Sequence, residues 1–171
     1  MIHVYYGDGK GKTTAAIGLA VRAAGSRMKV LFVQFRNTEF SGERHTLSHT
    51  ENVSLEFCPI DYNLTYNMTE EEKSKASVTF RKLFDDSVRT VLMQKYDMIV
   101  LDEIFGAIQA DMISEGALYE FISNAPKNLE VVLSGNTPSQ RVLDLADYVT
   151  EMKKIKHPYE TGIPARFGIE F

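Results

Sequence analysis

The sequence has very little cysteine, since one residue of that type, Cys58, occurs in 171 positions. A lone cysteine cannot form an internal disulfide or a cysteine-rich metal cluster, so a reducing compartment fits the chain. Free cysteine behaves as a small apolar side chain, and Cys58 is therefore predicted to lie in the core.

An excess of basic residues is also missing. Lys and Arg number 19 against 23 Asp and Glu, which gives a formal net charge of −4. The fold as a whole therefore carries no positive field for nucleic acid, and nucleic acid is not predicted as a partner. Any polyanion must be bound by a local site.

Long apolar runs are absent as well, and none approaches the length of a membrane span. The first residues, MIHVYYGDGKGK, lack a signal-peptide pattern, because their apolar stretch is short and runs into a glycine-rich loop. The sequence therefore predicts a cytoplasmic protein with no membrane association.

What the chain does contain is an alternation of short β-rich runs with helical stretches. The predicted strands are Ile2–Tyr6, Lys29–Phe35, Val53–Cys58, Met98–Leu101, Leu129–Ser134 and Tyr148–Met152. The predicted helices are Thr13–Ala24, Glu70–Gln94, Ser114–Asn124 and Pro138–Ala146. Several strands are nearly continuous apolar runs, as in a parallel sheet covered on both faces. We expect one three-layer α/β domain over residues 1–171, with a mainly parallel central sheet and its ligand beyond the carboxyl ends of the strands.

Two of these helices have sequence signals at their starts. Thr69 and Glu72 form a capping-box pattern, and Thr137–Gln140 offers a cap, a first-turn proline and a second box. The stretch Pro59–Met68 fits neither the helix nor the strand period. It is long for a plain connection, which predicts a functional or a mobile loop.

The strongest motif directly follows the first strand and opens the first helix. Its residues are Gly7, Asp8, Gly9, Lys10, Gly11, Lys12, Thr13 and Thr14. Three glycines in five residues let the backbone N–H groups turn toward phosphate oxygens, and the helix N-terminus adds partial positive charge. Lys12 is placed to reach the outer phosphates, and the Thr13 hydroxyl suits a magnesium ion. The motif predicts a phosphate-binding loop (P-loop) for ATP, although Tyr6 stands where the general signature has glycine.

The run Met98–Glu103 supplies the second half of the predicted site. An apolar strand that ends in two carboxylates, Asp102 and Glu103, is the usual partner of a P-loop, because it aims an acid at Mg²⁺. Spacing does not decide which carboxylate contacts the metal, and Glu103 is taken with Lys12 as the catalytic pair.

P-loops serve many reactions, so the motif alone does not fix the chemistry. The chain is too short for the accessory domains of a motor. A small-molecule kinase that uses the ATP γ-phosphate remains an alternative, and so does a non-catalytic nucleotide-binding module.

Read together, these segments closely resemble the P-loop type of ATP:corrinoid adenosyltransferase family. The family's loop reads G-[N/D]-G-K-G-K-T-T and also lacks the first glycine. Its other motifs appear here as Val33-Gln34-Phe35, Gly42-Glu43, Val100–Glu103, Leu143–Met152, Ile155–Pro158 and Gly168–Phe171. The run that ends in Ile155-Lys156-His157-Pro158 is the most specific of these.

The resemblance implies a RecA-like P-loop NTPase fold and transfer of the 5′-deoxyadenosyl group of ATP to Co(I) of a corrinoid, with release of triphosphate. It also implies Mg²⁺, a reduced corrinoid as substrate, a flavoprotein-type reductant and a homodimer. Gln34 and Glu43 are equally compatible with the site and with the scaffold, and His157 is expected to be a surface or structural residue.

Two departures from the family pattern concern the site. The family's T-G-R appears here as Ser134-Gly135-Asn136, so a guanidinium is missing there, and Arg141 is an open substitute. The family's G-F-T-W pattern before the long helix aligns with Thr65–Met68. This alignment predicts that Tyr66 and Met68 form the lower wall of the corrinoid site and exclude water and an axial ligand from the cobalt. The alternative is that Tyr66 anchors the start of the helix capped at Thr69.

Overall fold

The computed structural model describes residues 1–36 and 41–170. Within that part of the chain six strands form one sheet in which every pairing is parallel. The strands are β1 (Ile2–Tyr6), β2 (Val30–Gln34), β3 (Val53–Phe57), β4 (Met98–Asp102), β5 (Glu130–Gly135) and β6 (Tyr148–Glu151). Their order across the sheet is β3-β2-β4-β5-β1-β6. The predicted α/β fold with a mainly parallel sheet is confirmed, and the described sheet is wholly parallel.

Six α-helices connect these strands within the described residues. They are α1 (Lys12–Gly25), α2 (Gly42–Ser48), α3 (Glu70–Met93), α4 (Ile104–Gln109), α5 (Glu115–Ser123) and α6 (Gln140–Leu143). Two 3₁₀ helices, Tyr62–Asn67 and Pro158–Thr161, complete the regular structure. None of the helices in the described ranges is long and apolar enough to cross a membrane.

The sheet separates two apolar layers, because consecutive side chains of a strand point to opposite faces. On β2, Val30 and Phe32 pack with the buried alanines of α1. Leu31 and Val33 belong to the larger core, which includes Phe80 of α3 and residues of α4 and α5. All five residues of β2 are buried, which is why this strand reads as a continuous apolar run. Cys58 is fully buried in the larger core, as predicted.

The elements that differ from the sequence predictions are short. Helices α2 and α4 were not predicted, and the stretch expected to be an irregular loop contains the 3₁₀ helix Tyr62–Asn67. The predicted helix Pro138–Ala146 covers only Gln140–Leu143. Helices of four to seven residues show too few turns to establish a 3.6-residue apolar period.

Of the two predicted helix starts, one is confirmed and one is wrong. Thr69 and Glu72 form the complete capping box of α3, as predicted. The predicted cap at Thr137 is wrong, because Ser139 caps α6 by accepting a hydrogen bond from the Val142 N–H. Two equally good capping residues stand near one another in the sequence, and the chain uses the second.

Parallel pairing places the carboxyl ends of the strands at one edge. Gln34 is in register with Asp102, and Tyr6 is in register with both Gly135 and Glu151. The loop after β1 and the acidic end of β4 therefore open on the same side of the sheet. Strand β5 lies between them.

Candidate active site

The glycines of the phosphate loop are required by its backbone shape and by a close neighbour. Gly7 and Gly11 have φ values of 115° and 121°, in the left-handed region that side chains disfavour. A Cβ at Gly7 or Gly9 would lie 2.5 or 2.6 Å from the Met152 carbonyl oxygen. The Gly9 N–H donates to that same oxygen at 2.6 Å. The loop is therefore held against the residue that follows β6.

Lys12 is the first residue of α1 and is nearly buried, with 9% of its surface exposed. Its Nζ donates to the carbonyl oxygens of Gly7 at 2.8 Å and Gly9 at 2.9 Å. The ammonium group thus lies within the curve of the loop. From there it can stabilise anionic oxygens placed over the same glycines.

Thr13 and Asp102 connect the loop to β4. The Thr13 hydroxyl donates to Asp102 Oδ2 at 3.3 Å, and the Ser134 hydroxyl of β5 donates to Asp102 Oδ1 at 2.6 Å. The carboxylate is 3% exposed. Burial, and secondarily the nearby Glu103 and Glu43 carboxylates, raise the pKa of Asp102 to about 7, against the opposing effect of the two hydroxyl donors.

Glu103 directly precedes α4 and follows Asp102 in the chain. Its φ of 58° places a non-glycine residue in the left-handed region, and its N–H donates to Ser134 Oγ at 2.9 Å. Its side chain accepts a hydrogen bond from the Tyr62 hydroxyl, at 2.9 Å to Oε2. Burial, and then the Glu103 charge, raise the pKa of Tyr62 far above its usual value, so this hydroxyl remains a donor.

These side chains line two adjoining cavities. One, of about 310 Å³, extends from Thr13 and Asp102 along Gln34, Arg36 and Glu43. The other, of about 280 Å³, covers the loop from Asp8 to Thr14 and shares Glu103 and Arg36 with the first. The arrangement can therefore hold a polyphosphate over the loop next to a second compartment.

The larger of these two cavities, the one that contains Gln34 and Glu43, is lined by a small polar network. Gln34 donates through Nε2 to Glu43 Oε1 at 3.0 Å and accepts from Arg44 Nε at 2.8 Å. The Ser41 hydroxyl also donates to Glu43 Oε1. Gln34 and Glu43 thus both line the cavity and fix α2 to the end of β2. Because each side chain does both, the sequence pattern did not distinguish a role in the site from a role in the scaffold.

The C-terminal segment contacts the phosphate loop and lines the larger cavity. Lys10 Nζ donates to the carbonyl oxygen of Ile169 at 2.7 Å and to Glu170 Oε1 at 3.1 Å. Asp8 Oδ1 accepts from the Lys154 N–H at 2.9 Å. Gly168, Ile169 and Glu170 line the larger cavity. The last residue of this family motif, Phe171, lies outside the described residues.

Tyr66 and Met68 lie apart from the residues that line these two cavities. Tyr66 is 71% exposed and borders a separate surface depression together with Gln109 and Met112. Met68 is partly buried against the larger core. Their segment still reaches the site, because Tyr62, at the start of the same 3₁₀ helix, contacts Glu103. The corrinoid contact of Tyr66 and Met68 stays a prediction.

Three other residues concern the expectations for the missing guanidinium and for His157. Arg141 stacks over the Tyr119 ring at 3.4 Å, away from the cavities, so its guanidinium is engaged elsewhere. His157 caps the 3₁₀ helix Pro158–Thr161 through Nδ1 and also borders the cavity over the loop. Arg36 lines both cavities.

Sequence reasoning did not identify Tyr62, Arg36 or Ser134 as site residues. Arg36 and Ser134 could have been found, since each stands at or just after the end of a predicted strand, where the ligand edge lies. Tyr62 had no such signal. It reaches Glu103 across 41 positions of sequence through a helix that was not predicted.

The oxygen set at this edge fits Mg²⁺ chemically. Oxygen-bearing side chains of Thr13, Asp102 and Glu103 line one cavity beside the loop. Among the described residues no three His, Cys, Asp or Glu side chains form a metal-holding group. Mg²⁺ in phosphate sites usually takes one or two carboxylates and completes its shell with water and phosphate oxygens, so these residues suit that kind of site.

A glycine loop that opens a helix, a buried lysine within it and an acidic strand two positions away in the sheet define a P-loop nucleotide-binding protein. Two solved structures agree with this fold. They are EssC (ATPases 2 and 3) from Geobacillus thermodenitrificans, with TM-score 0.53 at 12% identity, and Thermomonospora curvata EccC (ATPases 2 and 3), with TM-score 0.55 at 18% identity. The alignments cover 98% and 96% of this chain but 34% of each of those chains, so they show the fold alone.

The chain belongs to the ATP:corrinoid adenosyltransferase BtuR/CobO/CobP family, whose family model matches residues 1–171. It is 32% identical to the corrinoid adenosyltransferases of Escherichia coli K12 and of Salmonella typhimurium LT2, over all of this chain and 85% of each relative. It is 30% identical to that of a Sinorhizobium species, over 80% of the relative. The predicted family and its transferase class are confirmed.

Proposed function

We propose that this protein transfers the 5′-deoxyadenosyl group of ATP to Co(I) of a corrinoid and releases triphosphate. The observation that carries the proposal is the hydrogen bond from Thr13 Oγ1 to Asp102 Oδ2, at 3.3 Å. It joins the phosphate loop to the polar cavity that contains Gln34 and Glu43. A triphosphate over the loop would leave the adenosyl end of ATP free to point outward. Family membership supports a corrinoid as the acceptor.

The step needs stabilisation of the leaving group more than it needs a base. The electron pair of Co(I) forms the Co–C bond, the bond from C5′ to the bridging oxygen breaks, and its electrons remain on the triphosphate. Lys12 and the N–H groups of the loop stabilise this charge as it develops. Lys10 can exchange its bonds to Ile169 and Glu170 for a phosphate oxygen.

Thr13, Asp102 and Glu103 would hold Mg²⁺, which neutralises part of the triphosphate charge when it is bound. Asp102 is fixed by two hydroxyl donors and Glu103 by one, so both carboxylates are oriented before substrate arrives. Such preorganisation reduces the rearrangement needed in the transition state.

The remaining elements of the proposal follow family membership. They are a homodimer, a flavoprotein-type reductant that supplies Co(I), and a corrinoid wall that includes Tyr66 and Met68. The 71% exposure of Tyr66 leaves its ring available for contact with a flat ligand. Arg36 is proposed to supply the guanidinium that Ser134-Gly135-Asn136 lacks, since it lines both cavities.

The test is anaerobic incubation of the protein with ATP, Mg²⁺ and a chemically reduced corrinoid. Optical spectra should report a Co–C bond, and phosphorus NMR should show triphosphate formed in equal amount. ADP as the product would support a kinase, and unchanged ATP with retained binding would support a nucleotide-binding module. Either result would contradict adenosyl transfer.

A further inference from the structure

The backbone of Glu103 is fixed more firmly than its side chain. Its left-handed φ of 58° is supported by the hydrogen bond from its N–H to Ser134 Oγ. Its carboxylate, in contrast, accepts one hydrogen bond from the described residues, and the donor is the Tyr62 hydroxyl. The orientation of the carboxylate therefore depends on where that hydroxyl lies.

The Tyr62 hydroxyl is itself held in place. Tyr62 is 7% exposed, and Thr65 Oγ1 donates to its carbonyl oxygen at 2.6 Å. Helix α4 leaves room for the ring at Gly106, where an added Cβ would lie 2.3 Å from the hydroxyl oxygen. A residue larger than glycine there would displace the hydroxyl, so α4 and the 3₁₀ helix define its position together.

We propose that Tyr62 is a positioning residue for the metal-binding carboxylate of Glu103, an inference that rests on the proposed function. Its hydroxyl holds Oε2, which restricts rotation of the carboxylate beside the cavity over the phosphate loop. Hydrogen-bonded partners of metal ligands reduce the ordering that binding requires, and their loss typically weakens metal affinity by about 10–100-fold.

The test compares Tyr62→Phe with a matched control, Tyr96→Phe. Tyr96 is also 7% exposed, and its hydroxyl donates to Ser54 Oγ at 2.9 Å. It precedes the start of β4, at the opposite end of the sheet from Glu103. Both substitutions remove one buried hydroxyl and keep the ring, so they match in their effect on packing.

The measurement is the affinity for Mn²⁺ in the presence of ATP, taken from the loss of the free Mn²⁺ signal in electron paramagnetic resonance. We expect Tyr62→Phe to weaken Mn²⁺ binding about tenfold and Tyr96→Phe to leave it unchanged. The Mg²⁺ concentration for half-maximal turnover should rise in parallel, with turnover restored at saturating Mg²⁺.

Equal Mn²⁺ affinity in Tyr62→Phe and the unsubstituted protein would overturn the proposal and leave Tyr62 as a packing residue. A lowered melting temperature with unchanged affinity has the same meaning. Failure of the proposed function would look different, because the unsubstituted protein would then form no Co–C bond while the two Mn²⁺ affinities could still be compared.

Discussion

Asp102 is buried, yet its side chain would have to be ionised to bind Mg²⁺. Two hydroxyl donors compensate only part of the cost of removing this carboxylate from water, which is why its pKa lies at about 7. A carboxylate in this position is poised to exchange its proton for a cation near neutral pH. The metal-free protein therefore carries an energetic cost at this residue above neutral pH.

This cost predicts a pH dependence of stability. Between the unfolded pKa of 3.8 and the folded value of about 7, the folded state binds more protons, so stability falls as pH rises through that window. From pH 5 to pH 8 in chelator the loss from this group should be about 2–3 kcal/mol. Asp102→Asn, which is neutral in both the folded and the unfolded state, should not show this loss of stability. Urea unfolding of both proteins at the two pH values measures the difference, and an equal pH dependence would contradict the assignment.

Lys12 provides a second prediction at the residue scale. Lys12→Ala should lower adenosyl transfer from ATP by about 100-fold or more, because a positioned donor to the leaving group is lost. The fold should persist, since the two carbonyls it contacts lie in a loop that also bonds to Met152. Single-turnover rates with Co(I), beside melting curves, measure both effects.

Lys127 offers the control for that experiment, because it is exposed in the turn before β5. Lys127→Ala should leave both rate and stability unchanged. Full activity in Lys12→Ala would exclude Lys12 from leaving-group stabilisation.

At the scale of single elements, the 3₁₀ helix Tyr62–Asn67 contributes to two surfaces. Its first residue contacts Glu103, whereas Tyr66 is exposed at the border of another depression. The proposed metal site and the proposed corrinoid wall therefore lie near the two ends of one short helix.

The paired substitution Tyr66→Ala with Met68→Ala tests the corrinoid side. If these side chains exclude an axial ligand from the cobalt, adenosylation should slow strongly when Co(II) must be reduced on the enzyme. It should change much less when chemically prepared Co(I) is supplied. If the pair only anchors the start of α3, the melting temperature should fall and the ratio of the two activities should stay constant.

At the scale of the whole molecule, the phosphate loop depends on the far end of the chain. Met152 follows β6, its N–H donates to the Tyr6 carbonyl oxygen at 2.7 Å, and its own carbonyl accepts from Gly9. Residues separated by more than half the sequence thus set the shape of the loop. The observed shape of the loop therefore includes a contact with the residue that follows β6.

Gly9→Ala tests this dependence. The new Cβ would lie 2.6 Å from the Met152 oxygen and 2.9 Å from the Lys153 carbonyl carbon, so the loop must shift away from β6. ATP binding should weaken severalfold and the free energy of unfolding should fall by about 1–3 kcal/mol. Calorimetric titration with ATP and urea unfolding measure the two effects.

Gly18→Ala is the matched control, because Gly18 lies within α1 and a Cβ there meets nothing within 4 Å. It should stabilise the protein by about 1 kcal/mol, as expected for glycine to alanine in a helix interior, and leave ATP binding unchanged. Similar effects of the two substitutions would show that loop docking on β6 does not matter for binding.

The sequence by itself determined the features of the fold that depend on neighbouring residues in the chain. The largely apolar run Val30–Gln34 indicated a strand buried on both faces, and the glycine loop before α1 indicated a phosphate-binding turn. The capping box at Thr69 placed the start of α3 correctly. These features depend on residues close in sequence, so the pattern alone defines them.

Only the tertiary structure decided which distant side chains meet. Tyr62 contacts Glu103, Ser134 supports Asp102, and Met152 holds Gly9, through contacts that sheet order and a short 3₁₀ helix create. The physical reason is the same in each case. A hydrogen bond between residues far apart in sequence depends on packing geometry, and local propensity carries no information about it.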